Sequence, residues 1–177
     1  MKFKKKYLSL LLIIPCILMY NNCTGIPKGV TPVKEVKTEK YLGKWYEIAR
    51  FDHSFEKGLS KVSAEYSLLD DGGLKGVNRG YKAAERKWSE AEGKAYFMGD
   101  DGKGLLKVSF FGPFYSSYVV FGLDDKDYQW SYVTGYNKDY LWFLSRTPTV
   151  SAEQKKAFIE KAKGLGYDTD KLIFVEQ

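Results

Sequence analysis

The sequence predicts an all-β fold: an eight-stranded antiparallel up-and-down β-barrel with one C-terminal α-helix packed on its outside and a short final strand. Three observations carry this. From Tyr41 onward, clusters of turn-forming residues recur about every ten residues, the rhythm of a sandwich or barrel. Several of the intervening segments alternate apolar and polar residues with period two, so one face of each is apolar. A single helix signature, a capping box followed by an apolar stripe, comes only after the last of these segments.

Strands are predicted at 43–51, 61–69, 74–82, 90–99, 104–111, 117–123, 128–135 and 140–147. Between them, Asp70-Asp71-Gly72-Gly73, Asp100-Asp101-Gly102-Lys103-Gly104, Gly112-Pro113, Asp124-Asp125-Lys126-Asp127 and Tyr136-Asn137-Lys138-Asp139 supply residues that tolerate positive φ or cap a tight turn. Short connections force antiparallel neighbours, and closing the meander removes two aggregation-prone edges. In the second strand Val62, Ala64, Tyr66 and Leu68 alternate with Lys61, Ser63, Glu65 and Ser67. In the fifth, Leu106, Val108 and Phe110 alternate with Lys107 and Ser109. The stretches Tyr118 to Leu123 and Tyr140 to Leu144 are apolar on both faces, so another element must cover the barrel there. Ser151-Ala152-Glu153-Gln154 opens that element as a capping box. Phe158, Ile159, Ala162 and Leu165 form its apolar stripe, Lys161 and Lys163 complement the helix dipole, and Gly164 or Gly166 ends it. Leu172-Ile173-Phe174-Val175 is predicted to pair beside the first strand.

One barrel end is expected to be sealed. Trp45 lies on the first strand behind Gly43, and Arg146 ends the eighth; a guanidinium laid over an indole is a cation–π contact that plugs the hole left by closure.

The chain of 177 residues, 44% apolar and 16% aromatic, suits one domain with an ample core. Its formal charge of +6 is largely a matter of Lys2, Lys4, Lys5 and Lys6; without them basic and acidic residues nearly balance and are spread along the chain. That excludes a nucleic-acid footprint. Residues 1–22 have the form of a lipoprotein signal peptide, basic and then apolar from Tyr7 to Tyr20 but interrupted by Pro15 and short for a membrane span. Cys16 lies within this segment and Cys23 directly after it, so the folded domain, 40–177, has no internal disulfide. Cys23, just past the apolar run, is the candidate for lipidation, and 23–39 is read as a lipidated N-terminus and tether. Tyr20-Asn21-Asn22 before it departs from the usual lipobox.

Tyr-Leu-Gly-Lys-Trp-Tyr-Glu-Ile-Ala-Arg-Phe around Trp45, Asp-Tyr-Leu-Trp-Phe-Leu-Ser-Arg-Thr-Pro around Arg146, and the run from Glu92 to Tyr115 resemble the lipocalin family, specifically its bacterial outer-membrane lipoprotein (Blc-type) branch. The resemblance runs from about Gly29 to Gln177. It implies an open calyx for a hydrophobic ligand such as a fatty acid or lysophospholipid. It also implies an outer-membrane lipid anchor facing the periplasm, a role in envelope maintenance or stress, and the option of a homodimer.

Tyr66, Phe97, Tyr118 and Trp142, as aromatics toward the open end, are the candidates for ligand contact, with Ala64 and Val108 deeper. Gly76, Gly80, Gly93, Ala95 and Gly122 put small residues within strands, which offers either cavity space or strand curvature. Phe111-Gly112-Pro113-Phe114-Tyr115 reads as an aromatic hairpin connection forming a rim that meets lipid or another subunit. No enzyme is predicted: His53 is the sole histidine, and no His, Cys or carboxylate cluster has metal-ligand or nucleophile–base spacing, so neither metal nor cofactor is expected. Glu47 points inward by alternation from Trp45, where an acid needs a partner or stays protonated. The competing reading is a filled barrel that binds another envelope protein through its rim; a third is a lipid-modifying enzyme.

Overall fold

The computed structural model describes residues 24–99 and 102–177. The predicted signal segment, Cys16, Cys23, Asp100 and Asp101 lie outside them. Within the described residues the chain forms nine strands: β1 (Gly43–Phe51), β2 (Leu59–Leu68), β3 (Leu74–Lys82), β4 (Lys87–Phe97), β5 (Leu105–Phe111), β6 (Phe114–Leu123), β7 (Trp130–Thr134), β8 (Leu141–Ser145) and β9 (Leu172–Phe174). From β2 to β8 each strand pairs with its neighbours in the chain. β1 pairs with both β8 and β2, which closes the barrel.

β1 is shared along its length between two partners on one side. Gly43 to Tyr46 face Tyr66 to Ser63 of β2, whereas Ala49 to Phe51 face Phe174 to Leu172 of β9. The hand-over falls at two irregularities, between Glu47 and Ala49 in β1 and between Ser60 and Ser63 in β2. The chain end fills the seam: Val175 N–H donates to Ile48 O (3.0 Å), Lys61 N–H to Glu176 O (2.6 Å), and Gln177 Nε2 to the carbonyls of Glu47 (2.6 Å) and Val62 (2.9 Å). Backbone groups that the diverging strands leave over are thereby paired.

Helix α2 (Ala152–Gly164) is built as its sequence dictates. Ser151 Oγ accepts from Gln154 N–H, Gln154 Oε1 accepts from Ser151 N–H, and Gly166 at φ +79° ends the helix, with Tyr167 N–H reaching back to Ala162 O (3.1 Å). Phe158 and Ala162 are fully buried against Val119, Phe121, Tyr132 and Phe143, the outward faces of β6, β7 and β8. This explains why those strands are apolar on both sides.

Some boundaries differ from expectation: β2, β4 and β6 begin two or three residues early because cross-strand pairing runs on past the alternating pattern, whereas β7 and β8 are shorter at both ends. β3 and β4 stay paired out to Lys82 and Lys87, with Lys75–Glu92 (2.6 Å) and Arg79–Glu90 (3.4 Å) ion pairs across the ladder. The 111–115 run is not a loop. Phe111 pairs with Phe114, so the turn is Gly112-Pro113 alone and the aromatics occupy strand ends. The stretch expected as a tether also packs. Val30 and Val36 are buried, Val33 N–H donates to Val120 O (2.8 Å), and a short helix α1 (Thr38–Tyr41), for which the sequence carries no periodic signal, precedes β1.

Candidate functional site

The strand directions give the barrel two unlike ends. At the end where β1 begins, Arg146 Cζ lies 3.8 Å from the Trp45 ring centroid. Its guanidinium donates to the carbonyls of Lys40 (2.7 Å), Lys44 (2.8 Å) and Tyr128 (3.3 Å). Trp45, fully buried, donates Nε1 to Tyr41 O (2.8 Å) and packs on the Tyr41 ring (4.9 Å). Gly43 sits at φ +84° with Arg146 3.7 Å from where a Cβ would be, a conformation a side-chain-bearing residue adopts only under strain. Gly43, Trp45 and Arg146 thus meet at one end, with α1 as the lid the sequence did not announce.

Above this floor lies a cavity of about 680 Å³, open at the end formed by residues 52–58, 83–86, 112–113 and 135–140. Its size falls within the usual range of small-molecule sites. The barrel is therefore not filled by its own side chains. Ala64, Tyr66, Val108, Tyr118 and Trp142 all line it, while Phe97 does not: at the last position of β4 it packs among the buried residues around Leu106 and Val120. The expected depth order is corrected as well. Tyr66 and Tyr118 stand at the floor, since Tyr66 pairs with Gly43 and both rings gather round Tyr41; Ala64 and Val108 lie nearer the mouth. The three phenols form a chain of hydroxyl contacts, Tyr66–Tyr118 (3.1 Å), Tyr118–Tyr41 (2.9 Å) and Tyr41 to Ser131 Oγ (3.0 Å). Burial raises the pKa of all three, so they stay neutral, and the hydroxyls satisfy one another.

The strand glycines serve both expected uses, since Gly76, Gly80 and Gly93 line the cavity and Gly122 sits at the β6–β7 irregularity, and two of them add a third. A Cβ on Gly76 would lie 3.1 Å from Tyr66, its cross-strand partner, and one on Gly122 would lie 2.5 Å from Tyr132, its partner on β7. Each of the two is a seat for an aromatic ring laid across the backbone.

The sequence reading placed Glu47 inside the barrel but missed its company: Glu47 and Glu56 line the cavity, and the buried Arg50 stands behind them. Glu47 and Arg50, three apart, belong on opposite faces of a regular strand, but the irregularity between Glu47 and Ala49 turns both inward. Arg50, 2% exposed, donates Nη1 to Glu47 Oε1 (2.7 Å) and Nη2 to the carbonyls of Glu56 (2.9 Å) and Leu59 (3.3 Å), pinning the 52–58 loop to the wall. Glu56 in turn accepts from Trp142 Nε1 (3.1 Å). Burial pushes Glu47 well above the usual carboxylate range, and the nearby Glu56 pushes it further while Arg50 pulls it down. Glu56 is raised as well, again chiefly by burial. His53 stacks between Tyr140 (4.5 Å) and Phe55 (5.3 Å), and burial together with Arg50 lowers its pKa, so it is a neutral aromatic of the mouth. Among the described residues no group of three or more His, Cys, Asp or Glu is arranged to hold a metal.

A site of this form, largely apolar and open at one end, has the size and lining of a pocket for a small hydrophobic molecule. Comparison with known proteins agrees. The family model described as "Lipocalin-like domain" matches residues 36–177. The outer membrane lipoprotein Blc of Vibrio cholerae is 54% identical over 165 residues, covering 93% of this chain and 96% of that protein. The protein of the same name from Escherichia coli is 53% identical over 151 residues, 85% of each. Insecticyanin from the tobacco hornworm superposes with a TM-score of 0.67 at 19% identity, covering 86% of this chain and 87% of that one, which shows the shared fold. With a family match spanning the barrel and its helix, and relatives more than half identical across most of the chain, the protein belongs to the lipocalin family and is a binding protein rather than an enzyme.

Proposed function

We propose that the protein is a lipid-anchored carrier that binds a fatty acid or lysophospholipid in its calyx at the bacterial outer membrane, storing or moving membrane lipid during envelope maintenance or stress. The observation that carries this is the cavity of about 680 Å³ with apolar walls and one open end. Ring faces at the floor and Ala64, Leu74, Leu106 and Val108 on the walls suit an acyl chain. A chain of about fifteen methylenes gains about 12 kcal/mol on leaving water. Ordering and association costs take back several kcal/mol and still leave room for micromolar binding, about −8 kcal/mol.

In this reading Trp142, Glu47 and Glu56, both glutamates steadied from behind by Arg50, meet the polar end of the ligand, and Cys23 carries the acyl anchor. Relatives named as outer membrane lipoproteins support both the anchor and the compartment. The test is to purify the mature chain from membranes, weigh it intact, and identify by lipid mass spectrometry what leaves it on denaturation. An added acyl mass at the N-terminal Cys23 and a single-chain lipid in near-stoichiometric amount are expected. An unmodified N-terminus or an empty, ligand-indifferent barrel would contradict the proposal.

A further inference from the structure

The start of the described chain lies at the open end of the barrel. Gly25 O accepts from Ser117 Oγ (2.6 Å), and a Cβ on Gly25 would stand 3.7 Å from Tyr136 O, in the β7–β8 loop that borders the mouth. From there the chain runs down the outer wall past Val120 to the closed end, where Lys37 N–H donates to the Tyr128 hydroxyl (2.9 Å). Cys23 precedes Gly25 by two residues, a reach of about 7 Å. Ser117 is six residues above the closed end of β6 at Leu123, about 20 Å along the strand, but only three below its open end at Phe114, about 10 Å. A lipid held at Cys23 can bring the mouth to a bilayer. It cannot bring the floor there unless residues 25–36 first peel off the barrel.

The two ends also differ in surface chemistry. Around the mouth, Phe111 is 82% exposed, Phe55 62% and Phe114 59%, with Lys57 and Arg86 exposed beside them, Lys82 and Lys87 both paired to Glu85, and Asp52 and Asp139 as the remaining exposed acids. Aromatic rings flanked by cations suit the boundary between headgroups and acyl chains, and anionic lipids attract the cations. At the floor, among the described residues, Leu68 is the exposed large apolar side chain and no aromatic ring joins it, and the aspartates of the turns at 69–73 and 124–129 are interspersed with Lys37, Lys40, Lys44 and Lys126, so that end offers a bilayer no ring to insert.

We infer that the protein stands mouth-down on an anionic phospholipid surface, held by the anchor at Cys23 and by the aromatic tip of the β5–β6 hairpin, so that a lipid passes between bilayer and calyx without crossing water. This rests on the anchoring proposed above and adds an orientation to it.

The experiment uses the exported, acylated full chain in vesicles of phosphatidylethanolamine and phosphatidylglycerol, with and without brominated acyl chains as a quencher. A fluorophore is placed through Gly112→Cys at the hairpin tip, where a Cβ meets nothing within 4 Å, or through Asp125→Cys at the exposed floor turn. In the acylated, processed chain Cys16 is removed with residues 1–22 and Cys23 is blocked, so each label is unique. The dye at 112 is expected to lose most of its emission and the dye at 125 to keep it. Equal quenching, or the reverse order, overturns the orientation. Persistence of quenching at 112 after Phe111→Ser with Phe114→Ser removes the aromatic tip from the contact. Failure of the chain to float with the vesicles, with no acyl mass on Cys23, would instead defeat the anchoring reading and this inference with it.

Discussion

Replacing Arg146 with alanine tests whether the closed end is a structural seal. The guanidinium makes three hydrogen bonds to carbonyls of α1, β1 and the β7 approach, and one cation–π contact at 3.8 Å. Arg146 is half-buried, so water replaces part of what is lost; about 0.5 kcal/mol per hydrogen bond and about 1 kcal/mol for the ring contact are reasonable. The total, about 2–3 kcal/mol, corresponds to a melting temperature lower by roughly 5–10 °C for a domain of this size. Arg146→Lys keeps the charge but cannot span three acceptors, so its loss should fall between parent and alanine. Thermal unfolding followed by circular dichroism reads both, and lipid binding below the transition should change little, because Arg146 does not line the cavity. An unchanged melting temperature in Arg146→Ala would refute the seal.

Three further outcomes follow from the same geometry. Phe158→Ala removes a fully buried ring packed on Tyr132 (4.9 Å) and Phe143 (5.0 Å), so it should cost about 3–5 kcal/mol in denaturant unfolding; a loss under about 1 kcal/mol would mean α2 contributes little. Ala64→Trp should place its ring in the cavity and abolish lipid uptake in a fluorescence displacement assay while the fold persists, and retained uptake would show that the ligand lies elsewhere. For Glu47, the folded pKa is raised above the unfolded one, so its protonation stabilises the fold at low pH and that contribution is lost as pH rises from about 4.5 through the folded value. The melting temperature of Glu47→Gln minus that of the parent should therefore increase across that window. A difference that decreases would show Glu47 to be held ionised.

What was legible in the sequence was whatever local chemistry repeats or caps. Period-two alternation, turn clusters and the Ser151–Gln154 box gave the barrel and helix; strand starts moved earlier where cross-strand pairing outran the alternation, as at Lys87, and β7 and β8 came out shorter than their apolar runs. The Trp45–Arg146 closure was legible because residue type and strand position sufficed. Depth within the barrel was not: alternation says that Tyr66 and Tyr118 face inward but not at what height, which depends on β1–β2 register and on the unforeseen α1 beneath them. Of the Glu47–Arg50–Glu56 cluster only the inward Glu47 was legible, because one irregularity in β1 reverses the face that alternation assigns to Arg50. Phe97 was misplaced since inward alternation does not separate cavity wall from packed floor.

The central claim is that the open calyx holds one lipid. Its most direct test is native mass spectrometry of the mature chain titrated with lysophospholipid after detergent removal. Saturation at one lipid per chain, or one per dimer if the chain pairs, is predicted, with competition by a fatty acid. A folded protein that shows no adduct at any lipid concentration, or adducts that accumulate without saturating, would contradict it.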